Sequence, residues 1–252
     1  MGLDELHSWV VMAVAVLAVF TFVPLVFIKA PYGRYRRPGW GPTTSSRTGW
    51  ILMESPAVWL FVGFFAMGRN ATDPVSLVLA GFWLLHYVNR GIIYPFRLRA
   101  DGKRMPLLIS LLGFVFNTAN AWINAWWIGH LGLYDIAWLM DPRFAVGSVL
   151  FIGAFVGNMR ADQVLRSLRQ PGDSGYQVPH GGMYRWISCP NYLCELLEWV
   201  GWAILTWSSA GVVFAIYTAA NLVPRAMAHH NWYQEQFSAY PKARKALVPF
   251  VL

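Results

Sequence analysis

Seven long apolar runs constrain the fold of this chain more than any other feature of its sequence. They cover roughly residues 7–28, 51–68, 75–96, 106–128, 143–165, 191–208 and 211–230. Each is close to the ~20 residues that a helix needs to cross the hydrocarbon core of a bilayer. Because lipid offers no partners for backbone polar groups, spanning segments of this length are helical. We therefore predict an all-α, polytopic membrane protein with seven transmembrane helices in a single domain, residues 1–252.

The composition and the excess of basic residues are typical of a membrane protein. Of the 252 residues, 56% are hydrophobic and 13% are charged, whereas a soluble domain carries about 25% charged residues. The net charge of +8 arises from cations in short loops, which is typical of cytoplasmic membrane loops facing anionic headgroups. We therefore expect membrane lipids as partners, no nucleic acid, and no obligate protein partner.

The distribution of the basic residues predicts the orientation. Loops 29–50, 97–105 and 166–190 and the tail 231–252 together hold fifteen Lys or Arg, against Arg69 alone on the opposite side. The positive-inside rule then places the N-terminus outside or in the lumen and the C-terminus in the cytoplasm. The first apolar run lacks a basic n-region and a cleavage site, so we interpret it as a retained helix. A bacterial inner membrane is favoured, or the endoplasmic reticulum if the chain is eukaryotic.

Polar residues at helical spacing mark the cytoplasmic ends of several predicted helices. They are Asn158, Asp162 and Arg169 at the end of the fifth predicted helix, Asn191, Glu195 and Glu198 on the sixth, Arg225, His229 and Tyr233 on the seventh, and Tyr87, Arg90, Tyr94 and Arg97 on the third. Each stripe alone also fits snorkelling arginines or a structural ion pair at Asp162. Because polar residues are costly in lipid, their convergence favours a functional site inside the bundle.

The residue types in these stripes indicate the ligand. Arginines suit an anionic cytosolic molecule, and Asn, Asp and Glu suit amides and ribose hydroxyls. The loop PGDSGYQVPHGGMYRW has glycines that let a backbone approach a ligand closely. No G-x-G-x-x-G fingerprint is present, so the helices themselves would form a nucleotide site.

The adjacent His229 and His230 point about 100° apart on a helix, and we predict no metal. Cys189 and Cys194 are too few for a disulfide framework and are expected to be free thiols.

Long motifs in the C-terminal half resemble a known family. The runs LRQPGDSGYQVPHGGMYRWISCPNYLCELLEWVGWAILTW and RAMAHHNWYQEQFSAYPKARKALVPFVL, with the weaker WILMESPAV and LLHYVNR, resemble the steroid 5-alpha-reductases, or 3-oxo-5-alpha-steroid 4-dehydrogenases. The resemblance implies a seven-helix membrane reductase. The compact chain and the absence of a retention signal favour a bacterial member of the family. It also implies that NADPH serves to saturate the C4–C5 double bond of a 4-ene-3-oxo steroid that enters from the lipid.

The resemblance also assigns residues by motif. It implies cofactor contacts at Asn158, Asp162, Arg169, Tyr176, Asn191, Glu195, His229 and Tyr233, joined by Trp50, Arg90 and Arg104. The pair facing the substrate carbonyl would be Glu54 and Tyr87. Residues 1–105 would then mainly serve the substrate, and residues 106–252 mainly NADPH.

The chemistry of the reaction gives this pair a role. Hydride addition to an enone pushes negative charge onto the ketone oxygen, and donors at that oxygen stabilise the enolate. The phenol of Tyr87 can donate, and Glu54 can donate when protonated, the form that an apolar environment favours. We therefore expect hydride delivery from the nicotinamide to C5, with Glu54 and Tyr87 at the C3 oxygen.

Three other functions remain open from the sequence. A reductase of related architecture could act on an enoyl-CoA or a polyprenol, although the Glu54 and Tyr87 pair suits a rigid ketone. A methyltransferase for prenylated cysteine would leave the arginine stripes unexplained, because adenosylmethionine lacks phosphates. A non-catalytic sterol sensor or transporter is the third alternative, and tightly bound NADP(H) would argue against it.

Overall fold

The computed structural model describes residues 2–98, 102–168 and 175–252, and helices dominate them. The helices are α1 (Leu3–Phe27), α2 (Ser46–Glu54), α3 (Pro56–Ala66), α4 (Pro74–Tyr87), α5 (Tyr94–Arg97), α6 (Leu107–Trp126), α7 (Pro142–Ser167), α8 (Pro190–Thr206) and α9 (Ser209–Gln236). Two short antiparallel strands, β1 (Thr43–Ser45) and β2 (Arg104–Pro106), join the loops before α2 and α6. The predicted all-α fold is confirmed.

Six helical segments in the described part of the chain are long and apolar enough to cross a membrane. They are Leu3–Phe27, Ser46–Ala66, Pro74–Arg97, Leu107–Leu131, Pro142–Ser167 and Ser209–Gln236. The chain is therefore an integral membrane protein. The sixth predicted run forms α8, whose 17 residues rise about 26 Å, slightly less than a hydrocarbon core of ~30 Å. The seven-helix count and the orientation of the termini stay predictions.

Helix boundaries follow from capping residues in the sequence. The Asp73 carboxylate accepts hydrogen bonds from the backbone of the first turn of α4, and Pro74 occupies the first helical position. Asp141 and Pro142 begin α7 in the same way. An aspartate cap satisfies amide groups that a helix start leaves free, and proline at the next position has no amide to satisfy.

Two of the spans are interrupted at the predicted catalytic residues. The second ends its first helix at Glu54 and resumes at Pro56, whose ring removes a backbone donor. The third passes from α4 into a π-helical turn, Val88–Ile93, directly after Tyr87. Such turns are rare and are frequent at functional sites.

Close packing of α7 on α8 brings the predicted polar stripes together. A Cβ atom on Gly147 would lie 2.8 Å from the carbonyl oxygen of Gly201, and one on Gly201 would lie 2.7 Å from the backbone nitrogen of Phe151. Only glycine allows this approach of two backbones. The helices also share an aromatic core in which Trp83, Trp199 and other large rings are fully buried.

Candidate active site

A largely buried arginine on the π-helical turn joins three helices. Arg90 Nη1 lies 3.3 Å from Asp162 Oδ2 on α7, and its Nη2 lies 3.5 Å from Glu195 Oε2 on α8. The three side chains are 13%, 7% and 16% exposed, respectively. One cation thus faces two carboxylates away from water, and neighbouring groups must hold this arrangement in place.

Three further predicted residues support this ion-pair group. Asn191 Nδ2 donates to Asp162 Oδ1 at 3.2 Å, and Asn158 Nδ2 donates to the Asn191 carbonyl at 2.9 Å. The Trp50 indole donates to the Arg90 carbonyl at 3.1 Å, and its ring lies 4.8 Å from the guanidinium carbon. We call this group the Arg90 cluster: Trp50, Arg90, Asn158, Asp162, Asn191 and Glu195.

A second group surrounds Arg34, in the loop between α1 and α2. Arg34 Nη2 donates to the Tyr233 hydroxyl at 3.2 Å. Its guanidinium carbon lies 4.4 Å from the ring centroid of Trp232, 4.7 Å from that of Tyr233 and 5.1 Å from that of Tyr176. Aromatic faces at these distances attract a cation. The Arg34 cluster (Arg34, Tyr35, Tyr176, His229, Trp232 and Tyr233) thus unites three predicted residues with a loop from the opposite end of the chain.

His229 is oriented by two tyrosines. The Tyr192 hydroxyl accepts from Arg225 Nη2 at 3.1 Å and lies 3.2 Å from His229 Nε2. The Tyr192 hydroxyl can donate its proton to Nε2, and in that tautomer Nδ1 carries the ring proton. Tyr35 stacks on the imidazole at 5.3 Å. Burial raises the pKa of Tyr35 to about 12, so its protonated hydroxyl donates to the Ala228 carbonyl at 2.8 Å.

Two buried nitrogen atoms of the Arg34 cluster have no hydrogen-bond partner within the described part of the chain. Among the residues that the structure describes, neither Arg34 Nη1 nor His229 Nδ1 has a hydrogen-bond partner. A buried donor without an acceptor costs about 1–3 kcal/mol, so such groups are uncommon unless they serve a ligand. Both atoms would be satisfied by the oxygen atoms of an anionic ligand.

The predicted carbonyl pair, Glu54 and Tyr87, contacts asparagines of α6. Asn117 Nδ2 donates to Glu54 Oε2 at 3.4 Å, and Asn120 Nδ2 donates to the Tyr87 hydroxyl at 3.4 Å. Gly91 lets the π-helical turn pack on Glu54, because a Cβ there would lie 3.3 Å from the glutamate Cβ. A carboxyl group and a phenol each have hydrogen-bonding capacity beyond the one contact that the asparagine makes.

The three groups are linked through the helical segments that they share. Trp50 and Glu54 are four residues apart on α2, and Tyr87 and Arg90 are three apart across the start of the π-helical turn. The carbonyl pair and the Arg90 cluster are therefore about one helical turn apart on the same two segments. Asn191 and Tyr192 connect the Arg90 cluster to the contacts of His229 within one turn of α8.

One predicted cofactor residue lies apart from these groups, and another lies outside the described residues. Arg104 lies on β2, where its guanidinium donates to Thr43 Oγ1 at 2.8 Å and to the Thr43 carbonyl at 2.7 Å. These bonds tie the two strands together, and its cofactor role stays a prediction. Arg169 lies outside the described residues.

Several polar groups near the site were missed by the sequence reasoning. Arg34 stands in a basic loop, where a headgroup contact is the simplest interpretation. Asn117 and Asn120 occupy an apolar span, and their helical spacing was a usable signal. His86 Nδ1 lies 2.8 Å from Glu198 Oε1, and both residues are buried. Glu198 was noticed as a stripe residue, but its partner beside Tyr87 was not.

Fold and site together define a class: a polytopic α-helical membrane protein with polar side chains gathered inside the bundle around a buried arginine. Comparison with known proteins identifies the family. The family model described as 3-oxo-5-alpha-steroid 4-dehydrogenase matches residues 103–252, and the relatives reported next match nearly the whole chain. The chain belongs to the steroid 5-alpha-reductase family.

Similar proteins come from plants and mammals. "Steroid 5-alpha-reductase DET2" of Gossypium hirsutum is 41% identical over 98% of both chains. The protein of the same name from Arabidopsis thaliana is 45% identical over 92% of this chain and 91% of its own. "3-oxo-5-alpha-steroid 4-dehydrogenase 1" of Bos taurus is 38% identical over 94% of this chain and 93% of its own. The sequence-based assignment to an oxidoreductase family of membrane proteins is thereby confirmed.

Proposed function

We propose that this chain uses NADPH to reduce the C4–C5 double bond of 4-ene-3-oxo steroids to 5-alpha-3-oxo steroids. The observation that carries the proposal is the position of two carbonyl donors, Glu54 and Tyr87, one helical turn from the Arg90 cluster. The names of its relatives support a steroid as substrate. The apolar surroundings of the bundle suit entry of such a substrate from the lipid.

The described residues fit NADPH in charge and in hydrogen-bonding capacity. Arg34 Nη1 and His229 Nδ1 are buried donors without a partner in the described chain, and phosphate oxygens accept hydrogen bonds from such groups. The aromatic rings of Tyr176 and Trp232 suit a flat heteroaromatic ring. The Arg90 cluster offers amides and carboxylates that suit ribose hydroxyls and a carboxamide. These two clusters would hold the cofactor.

The residues of this chain bind and polarise the enone. When bound, NADPH would supply the hydride that adds to C5 of the steroid, and uptake of a proton at C4 by the resulting enolate would complete the saturation. Tyr87 donates a hydrogen bond to the C3 oxygen, and a protonated Glu54 donates a second. Both bonds strengthen as negative charge develops on that oxygen, so they stabilise the transition state more than the substrate. Burial of Tyr87, which is 3% exposed, excludes water that would otherwise weaken these bonds.

A product assay tests the proposal. The purified protein, reconstituted with lipid, is given progesterone or testosterone and NADPH deuterated at both C4 positions. We expect the 5-alpha-dihydro steroid with deuterium at C5, identified by mass spectrometry and NMR. A protein that oxidised NADPH and reduced none of the 4-ene-3-oxo steroids, but reduced an enoyl-CoA or a polyprenol, would overturn the steroid assignment.

Two variants test the carbonyl pair. Tyr87→Phe removes the phenolic donor, and we expect kcat to fall ~100- to 1000-fold, as for loss of one oxyanion donor. Glu54→Gln keeps the shape and replaces the acid, and we expect a fall in kcat as well. NADPH binding, measured as a thermal shift, should persist in both variants. Wild-type turnover in both variants would exclude the proposed roles.

A further inference from the structure

A row of three asparagines on α6 lies behind the carbonyl pair. Asn117, Asn120 and Asn124 are three and four residues apart, so they share one face of the helix. They are 6%, 0% and 1% exposed in an otherwise apolar span. Buried amides are costly unless their hydrogen bonds are satisfied. We call these three residues the amide ladder. The donor and the acceptor of each of its hydrogen bonds can be identified.

The series of hydrogen bonds starts at Trp202 of α8. An indole N–H can only donate, and Trp202 Nε1 lies 2.8 Å from Asn124 Oδ1. That contact identifies the oxygen of the Asn124 amide and therefore the position of its nitrogen. Asn124 Nδ2 lies 3.0 Å from Asn120 Oδ1 and 3.0 Å from the Asn120 carbonyl. The Asn120 side-chain oxygen is thus an acceptor as well.

The last step reaches the phenol. With its oxygen facing Asn124, Asn120 presents its Nδ2 to the Tyr87 hydroxyl at 3.4 Å. The phenolic oxygen then accepts a hydrogen bond, and its own proton is free for another acceptor. Among the described residues the Tyr87 hydroxyl has Asn120 as its single hydrogen-bond partner. A phenol held in this way can give its proton to a ligand.

Asn117 repeats the pattern at Glu54. Its Nδ2 donates to the Met53 carbonyl at 2.8 Å, which identifies this atom as nitrogen, and reaches Glu54 Oε2 at 3.4 Å. One carboxyl oxygen therefore accepts from the amide, and the other can carry a proton. The same helix face thus supplies an amide donor to each member of the carbonyl pair.

We propose that the amide ladder makes Tyr87 a hydrogen-bond donor toward the substrate carbonyl, with Asn120 and Asn124 as positioning residues. This inference rests on the proposed function, because it assigns a direction to the bond that Tyr87 makes there. The ladder acts in two ways. It prevents the reverse orientation, in which the phenol would donate to Asn120 Oδ1, and it stabilises negative charge that shifts onto the phenolic oxygen as the enolate forms.

A double-mutant cycle tests the ladder. Asn120→Leu, which has a similar shape and no polar atoms, is made in the wild-type chain and in the Tyr87→Phe variant. We expect kcat to fall on the order of tenfold in the wild-type background, the size of one hydrogen bond. In the Tyr87→Phe background we expect no further loss, because no hydroxyl remains to be oriented. The Kd for NADPH should stay constant throughout.

A second variant and a control guard against a folding defect. Asn124 has no hydrogen bond to Tyr87 within the described chain, but Asn124→Leu would allow the side-chain amide of Asn120 to rotate so that its oxygen faces Tyr87. We therefore expect a smaller fall in kcat, which should also disappear in the Tyr87→Phe background. Thr118→Val on the same helix removes a hydroxyl that bonds only to Phe114 within the described chain, and should leave turnover unchanged.

The outcomes separate the two hypotheses. If wild-type protein reduces the steroid, Tyr87→Phe is impaired, and the ladder substitutions cost the same factor in both backgrounds, the ladder proposal is wrong and the carbonyl pair stands. Full activity of Tyr87→Phe would overturn the carbonyl pair and the ladder together. A loss in kcat that vanishes in the Tyr87→Phe background supports both.

Discussion

Replacement of Arg90 by methionine should lower the melting temperature of the protein. Methionine keeps the length of the buried stem but removes the ion-pair partner of Asp162 and Glu195, which are 7% and 16% exposed. Removing one partner from a buried ion pair costs about 3–5 kcal/mol. At ~2–4 °C per kcal/mol for a chain of this size, the melting temperature should fall by roughly 6–20 °C. The lower part of this range is expected, because Asn191 still donates to Asp162.

The assay is thermal unfolding in detergent, followed by intrinsic fluorescence with and without NADPH. Arg90→Met should also lose the stabilisation that NADPH gives. The triple variant Arg90→Met, Asp162→Asn, Glu195→Gln removes all three charges and should regain most of the stability, because an uncharged replacement of a buried ionic group is often neutral. It should not regain the response to NADPH.

The matched control is the exposed pair on the first turn of α7. Arg143 Nη2 lies 2.9 Å from Asp141 Oδ2, and the two side chains are 41% and 23% exposed. Arg143→Met should leave the melting temperature close to that of the wild type, because solvent screens exposed pairs. An Arg90→Met protein as stable as this control would refute the claim that Arg90 compensates buried carboxylates.

Three further predictions concern packing, thiol chemistry and the cofactor. Gly201→Ala should lower the melting temperature, because its Cβ would lie 2.7 Å from the Phe151 backbone nitrogen, whereas Gly153→Ala, with nothing within 4 Å, should not lower it. Burial raises the pKa of the Cys189 thiol to about 12, so iodoacetamide at pH 8 should modify it only after unfolding, as read by mass spectrometry. Arg34→Met should raise the Kd for NADPH on the order of tenfold or more, and an unchanged Kd in a fluorescence titration would exclude Arg34 from the cofactor site.

Helical spacing was enough to predict most of the Arg90 cluster. Asn158 and Asp162 are four apart on α7, and Asn191 and Glu195 are four apart on α8, so each pair had to share a face. Polar faces in a bilayer turn toward each other because lipid offers them no partner. The structure joins the two pairs through two hydrogen bonds, from Asn158 to the Asn191 carbonyl and from the Asn191 side chain to Asp162.

The contact between the loop before α2 and the C-terminal part of α9 could not be predicted from helical spacing. Arg34 meets Tyr233 across a sequence separation of 199 residues, and no local pattern predicts a contact of that range. A cation in a basic membrane loop has the same local sequence whether it binds headgroups or folds back onto the bundle. The asparagines of α6 are different, since their spacing alone would have placed them on one buried face.

The Arg90 cluster and the pair of Glu54 and Tyr87 lie on the same two helical segments. Trp50 and Glu54 lie on α2, and Tyr87 and Arg90 flank the start of the π-helical turn. The bond from the Trp50 indole to the Arg90 carbonyl fixes one segment against the other. If the cofactor binds as proposed, a displacement of Arg90 on binding would therefore shift the backbone that carries Glu54 and Tyr87. A π-helical turn, with wider backbone hydrogen bonds than an α-helix, allows such an adjustment at this point of the span.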